Sequence, residues 1–160
     1  MFPAIERITP EFAKELCQEI TTDLPEYFGL SEANERYFQG MLSRFSWGAK
    51  MGEKYVGLLT LEFPYSANIY WMGVKRAFQG QGTGSALIES AVACAQWKGL
   101  NTLTVETLSS VECDENYIKT WHFYLPQYRR QGIGSALLAM AEDAAARRKH
   151  QQVGIWCWTL

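Results

Sequence analysis

No run of apolar residues in these 160 positions comes near the roughly 20 needed to span a bilayer. The opening stretch, MFPAIERITPEF, carries charges where a secretory leader needs an uninterrupted apolar core. Both absences point to a cytoplasmic protein with no membrane partner. Cysteine is sparse: Cys17, Cys94, Cys113 and Cys157 stand far apart, without a C-x-x-C spacing. That pattern argues against a disulfide framework and a zinc site, and it fits a reducing compartment. Neither charge sign dominates, with 15 basic against 17 acidic residues scattered along the chain, so no dedicated nucleic-acid surface is expected. What the chain does have is apolar content of 48% and aromatic content of 14%, enough for one globular unit with a substantial core.

The order of elements is legible in outline. AIERI reads as a short strand. Thr9-Pro10-Glu11 then reads as a helix start: a hydroxyl cap, a proline in the first turn and an acid at the positive helix end. Phe12, Leu16, Ile20 and Leu24 recur at helical spacing. DLPEYFGLS interrupts, leaving Tyr27 and Phe28 on a loop, and Ser31 restarts a helix through about Phe45. SWGAKMGEKYVGLLTLEF predicts a hairpin turning near Met51-Gly52-Glu53, and NIYWMGV a third strand. Then come a glycine turn, a helix with Leu87 and Ala91 on one face and Gly99 at its end, and the strand LNTLTVETL, which implies a parallel crossover.

The glycine turn occurs twice. FQGQGTGSAL starts at Phe78 and YRRQGIGSAL starts at Tyr128. A glycine turn between a strand and a helix presents bare backbone N–H groups beside the positive end of the helix dipole, which suits a phosphate. The Walker loop is excluded because no lysine follows the last glycine, and the dinucleotide fingerprint fails at its third place, where Ser85 stands. What fits is Q/R-x-x-G-x-G/A: Gln79-x-x-Gly82-x-Gly84 and Arg129-x-x-Gly132-x-Gly134.

With that motif behind an antiparallel meander, and with VETLSSVECDENYIKTWHFY downstream, the sequence resembles the GNAT superfamily of acyl-CoA N-acyltransferases, from the N-terminus to about Tyr124. The resemblance implies an α/β (α+β) fold with a mixed, mostly antiparallel central sheet flanked by helices. It implies acetyl-CoA as cosubstrate and a small-molecule or protein amine as acceptor. The diphosphate would rest on the amides of Gln79, Gly80, Gln81, Gly82, Thr83, Gly84 and Ser85. A second candidate site is Arg129, Arg130, Gly132, Gly134 and Ser135. The pantetheine arm would lie along Met72 to Val74, with a backbone N–H near Met72 or Val74 meeting the thioester oxygen. Gly73 is the expected bulge. Tyr124 would be the acid for the leaving sulfur. Glu106 and Glu62, each inside an apolar strand, are candidate bases, with His122 a third. Tyr27, Phe28 and Tyr65 would cover the acceptor.

After Phe123-Tyr124 the family pattern breaks. Residues 1–112 hold the familiar part with the first turn, and residues 113–160 form a second turn–helix–strand unit. In one account residues 114–124 form the usual helix and VGIWCWTL supplies a late strand. In the other, favoured slightly by the aligned turns, YIKTWHFYLPQ is a strand in a duplicated half, whose open edges would make a homodimer attractive. A non-catalytic CoA-binding or dimerising module is the alternative function, and an anion-binding scaffold that takes no CoA is a third.

Overall fold

A computed structural model describes residues 2–64, 66–108, 115, 119, 122, 123 and 153–159, with backbone alone for 106–108 and 153–159. Strand β1 (Ala4–Ile8) leads into helix α1 (Pro10–Asp23). Thr9 caps that helix by accepting the Phe12 N–H at 3.2 Å, and Pro10 and Glu11 occupy its first turn as their chemistry suits. Helix α2 spans Ser31–Met41, four residues shorter than its periodicity predicts. Phe45 instead opens strand β2 (Phe45–Met51), because its backbone pairs with Leu61 of strand β3 (Lys54–Glu62). Gly52, at φ +60°, makes the hairpin turn.

Strand β4 (Ala67–Val74), helix α3 (Thr83–Trp97) and strand β5 (Thr102–Leu108) form the expected parallel crossover. Gly99, at φ +72°, closes α3, and the Leu100 N–H bonds back to Ala95. Strand β6 (Val153–Thr159) pairs antiparallel with β5 along its whole length. The six described strands form one sheet in sequence order, antiparallel except for β4–β5.

Glu115, Lys119, His122 and Phe123 are helical. This corrects the preference for a strand there. These four helical residues, with β6 in the edge position beside β5, agree with the other account, in which a helix precedes a late strand. The second glycine turn and the helix expected after it lie outside the described residues.

The sheet is covered on both faces. Leu59, Leu61, Ile69 and Val105 pack on Leu87, Ile88, Ala91 and Ala95 of α3. Leu58 and Trp71 pack on Leu16, Cys17 and Ile20 of α1 and on Met41 of α2. The buried hydroxyls of Ser46 and Thr60 pair at 2.8 Å, so neither is left unsatisfied between those layers.

An irregularity in β4 positions the site. Thr60 pairs with Trp71 and Leu61 with Ile69, so Tyr70 is the extra residue, a β-bulge. The sequence places that bulge at Gly73, but Gly73 pairs in register with Leu58. Its lack of a side chain has a different cause: a Cβ there would lie 2.6 Å from the Trp71 ring and 2.9 Å from Ile20. The bulge breaks strand alternation. Ile69, Met72 and Val74 face α3, while Tyr70 and Trp71 both join the α1–α2 side. The parallel ladder with β5 runs from Ala67↔Leu103 to Ile69↔Val105 and stops where the bulge begins. Beyond it β4 and β5 part into a wedge.

Candidate active site

At the open end of the wedge, β4 runs into a single 3-10 turn (Arg76–Phe78) and then into the first glycine turn. Local bonds hold this stretch in shape. The Lys75 N–H donates to the Val56 carbonyl at 2.8 Å, the Gln79 amide to Val74 O at 3.0 Å and the Gln81 amide to Ala77 O at 3.0 Å. The two glutamines therefore serve the turn's own backbone. Gly80 and Gly82 have φ of +73° and +83°, and open space surrounds the place a Cβ would take at either. Glycine is needed there for conformation rather than for room.

Gly82 is the N-cap of α3 and no side chain caps that end. The first-turn amides thus point outward beside the positive end of a 15-residue helix, a receptor for an anion. Thr83 turns its side chain into the core, 1% exposed, so it serves the site through its amide alone. Gly84 has a steric reason: a Cβ would stand 2.8 Å from the Phe123 ring and 3.3 Å from the Met72 methyl. Helix residue 123, strand β4 and the turn therefore meet at one point. Ser85 completes the first turn of α3.

The candidate bases separate. Glu62 is one member of a polar clasp across the closed end of the wedge. Its carboxylate accepts from Arg44 Nε and Nη2, both at 2.8 Å, and from the Asn68 amide at 2.9 Å. Asn68 in turn accepts from the Thr104 hydroxyl at 2.9 Å, so the clasp crosses β3, β4 and β5. Arg44 also stacks over the Tyr70 ring at 3.8 Å and donates to Gly40 O at 2.8 Å. The Glu62 carboxylate is thus engaged by partners on both oxygens. Glu106 follows Val105, the last residue of β5 paired with β4, and so lies where the wedge opens; its backbone pairs with Ile155. His122 is exposed. Tyr124 lies outside the described residues, as do Tyr65 and the second-turn group Arg129, Arg130, Gly132, Gly134 and Ser135.

On the α1–α2 face, Phe28 stacks on Trp71, centroids 5.1 Å apart, and Tyr37 meets Tyr70 edge-on at 5.7 Å. Loop residues Tyr27 and Phe28 thus cover β4 just where it leaves β5. Trp71 Nε1 is buried without a hydrogen-bond partner. Sequence reasoning missed the bulge at Tyr70 and the Arg44–Glu62–Asn68–Thr104 clasp. Both depend on pairings between segments that give no local signal. Among the described residues no group of three His, Cys, Asp or Glu side chains could hold a metal, and no helix is long and apolar enough to cross a membrane.

Comparison with known proteins bears on the family and the fold. A search of the curated proteins finds no match. Among solved structures, the IAA acetyltransferase from Bacillus cereus ATCC 14579 is 28% identical, with 68% of this chain and 69% of that one covered and a TM-score of 0.51. The PaiA N-acetyltransferase of Thermoplasma acidophilum, solved with coenzyme A, is 14% identical with a TM-score of 0.59 over 78% of this chain and 87% of that one. The ribosomal-protein-S18-alanine N-acetyltransferase of Escherichia coli is 14% identical with a TM-score of 0.60 over 77% and 76%. The last two share the fold. The model of the acetyltransferase (GNAT) family matches residues 13–125, more than half of the sequence, and the chain belongs to that family.

Proposed function

We propose that this protein moves an acetyl group from acetyl-CoA to an amine nitrogen of a small molecule or a protein by direct transfer. The observation that carries the reading is the junction of the open β4–β5 wedge with an uncapped helix whose turn holds two left-handed glycines. Acetyl-CoA supplies an activated acyl group as a thioester and a diphosphate by which to be held. The amides of residues 79–85 take the diphosphate, and the β4 edge beyond Ile69 takes the pantetheine arm as an added strand would be taken. A backbone N–H of Met72 or Val74 steadies the charge that builds on the acyl oxygen.

In the transfer, the acceptor nitrogen gives up a proton to a base, bonds to the acyl carbon, and the carbon–sulfur bond breaks. The departing sulfur receives a proton from Tyr124, whose neighbour Phe123 already lies against the turn at Gly84. Glu106, at the opening of the wedge, is the base we favour. Glu62 is engaged by Arg44 and Asn68, which suits a structural tie better than proton transfer.

Thiol release from acetyl-CoA across a panel of primary amines tests the reading. Turnover on at least one acceptor is expected, with Tyr124→Phe lowering kcat about 10²-fold while CoA still binds. Tight CoA binding with no turnover on any amine or peptide N-terminus would favour a binding module instead.

A further inference from the structure

Two basic residues, Lys75 and Arg76, lie between β4 and the glycine turn. Beside a receptor for a diphosphate, both would ordinarily be taken for phosphate ligands. Their contacts point elsewhere. Lys75 Nζ reaches Glu19 of α1 at 2.7 Å. Arg76 reaches further, with its main chain as well as its side chain. Its N–H donates to Asp23 Oδ2 at 2.6 Å, and Nη2 donates to the Asp23 carbonyl at 3.0 Å. The same Nη2 meets both carboxylate oxygens of Glu26, at 2.6 and 2.7 Å.

Asp23 is the last residue of α1, and Glu26 sits in the loop that follows. That loop carries Tyr27 and Phe28. It is anchored at three points: the Tyr27 and Phe28 N–H groups bond back to Leu24 O, Asn34 of α2 donates to Phe28 O at 2.7 Å, and Phe28 stacks on Trp71. On the other side, Arg76 is three residues from Gln79, whose side chain is fixed to Val74. One arginine therefore links the segment that presents amides to an anion with the loop that roofs the α1–α2 face of the wedge.

We infer that Arg76 is a positioning residue that ties the coenzyme-binding turn to the 24–30 aromatic loop, so that coenzyme binding stiffens the acceptor side of the site. This rests on the acetyltransferase reading. A lone exposed ion pair contributes little, but here one residue makes bonds from backbone and side chain to two successive anchor points. Coupling is reciprocal: a turn held still by the coenzyme restrains the loop, and a loop held by an acceptor tightens the turn.

The test uses Arg76→Gln and Glu26→Gln in the full chain, with CoA as the probe. Calorimetry gives CoA affinity, and amide hydrogen exchange follows residues 24–30 with and without CoA. In the unaltered protein, CoA is expected to slow exchange in 24–30. In both variants CoA affinity should stay within about twofold, exchange in that loop should rise about tenfold, and the slowing by CoA should vanish. The double variant should be no worse than Arg76→Gln alone, because that substitution already removes the pair with Glu26. A merely structural role would raise exchange across the sheet and lower Tm without touching the CoA-dependent difference.

The inference is overturned if Arg76→Gln weakens CoA tenfold or more and leaves loop exchange alone, which would make Arg76 a phosphate ligand. It is also overturned if CoA binds the unaltered protein without changing exchange in 24–30, and then the acetyltransferase reading stands without it. Failure of the unaltered protein to bind CoA at all would remove both.

Discussion

Gly80 and Gly82 are the residues whose purpose is plainest from sequence alone. Three alternating glycines before an apolar helix have no use in a packed turn, and two of them do adopt left-handed backbone. The third, Gly84, makes room for Phe123, a contact over 39 positions that no local pattern announces. Cys17 is equally hidden in the sequence. It lies in the core between α1 and the sheet, and burial pushes its thiol up to about 12, partly offset by a hydrogen bond with Thr21. An ordinary thiol, as in the unfolded chain, titrates near 8.5. The folded protein therefore holds this proton more tightly than the unfolded chain does. The stabilisation is complete below the unfolded value and is lost as pH rises towards 12. Denaturant titrations at pH 8 and pH 10.5 should show a larger loss of stability for the native chain than for Cys17→Val, and thiol reagents should not label Cys17 in the folded state. Equal losses in the two proteins would mean the thiol is not shielded as the packing implies.

At the scale of elements, most of the fold was readable because its signals are local: the Thr9 cap, the Gly52 turn, the period of α3 and the order of strands. The failures have one physical origin. Phe45 continues the apolar period of α2, yet strand pairing with Leu61 decides its conformation. The bulge at Tyr70 is a property of register between β3 and β4, and register is invisible in either strand alone. Likewise Glu62 looks like a carboxyl stranded among apolar residues until Arg44, 18 positions away, is brought beside it. That arrangement separates the two acidic candidates. Glu62→Gln should lower stability by about 1 kcal/mol, a typical worth for a partly buried ion pair within a network, and leave kcat within about threefold. Glu106→Gln should lower kcat by about 10² or more. A large fall in kcat for Glu62→Gln, with stability unchanged, would reverse the assignment.

In the whole molecule, α1 and α2 cover one face of the sheet, α3 covers the other, and β4 and β5 touch only at one end. The wedge is the outcome of three separate features: a bulge that stops the ladder, a clasp that holds its closed end, and a helix whose first turn faces its mouth. Sequence gave the third, and the resemblance to acyltransferases supplied the expectation of the first. Strand β6, paired with β5 along its whole length, takes the edge of the described sheet. The central claim is that the bare amides of residues 79–85 hold the coenzyme. Calorimetric titration of CoA into the native protein and into Gly82→Glu tests it most directly, since the substitution places a carboxylate at the anion receptor and strains a backbone at φ +83°. Binding by the native protein and none by the variant, with the variant's circular dichroism still native, is the expected result; equal affinity in the two proteins would contradict the account.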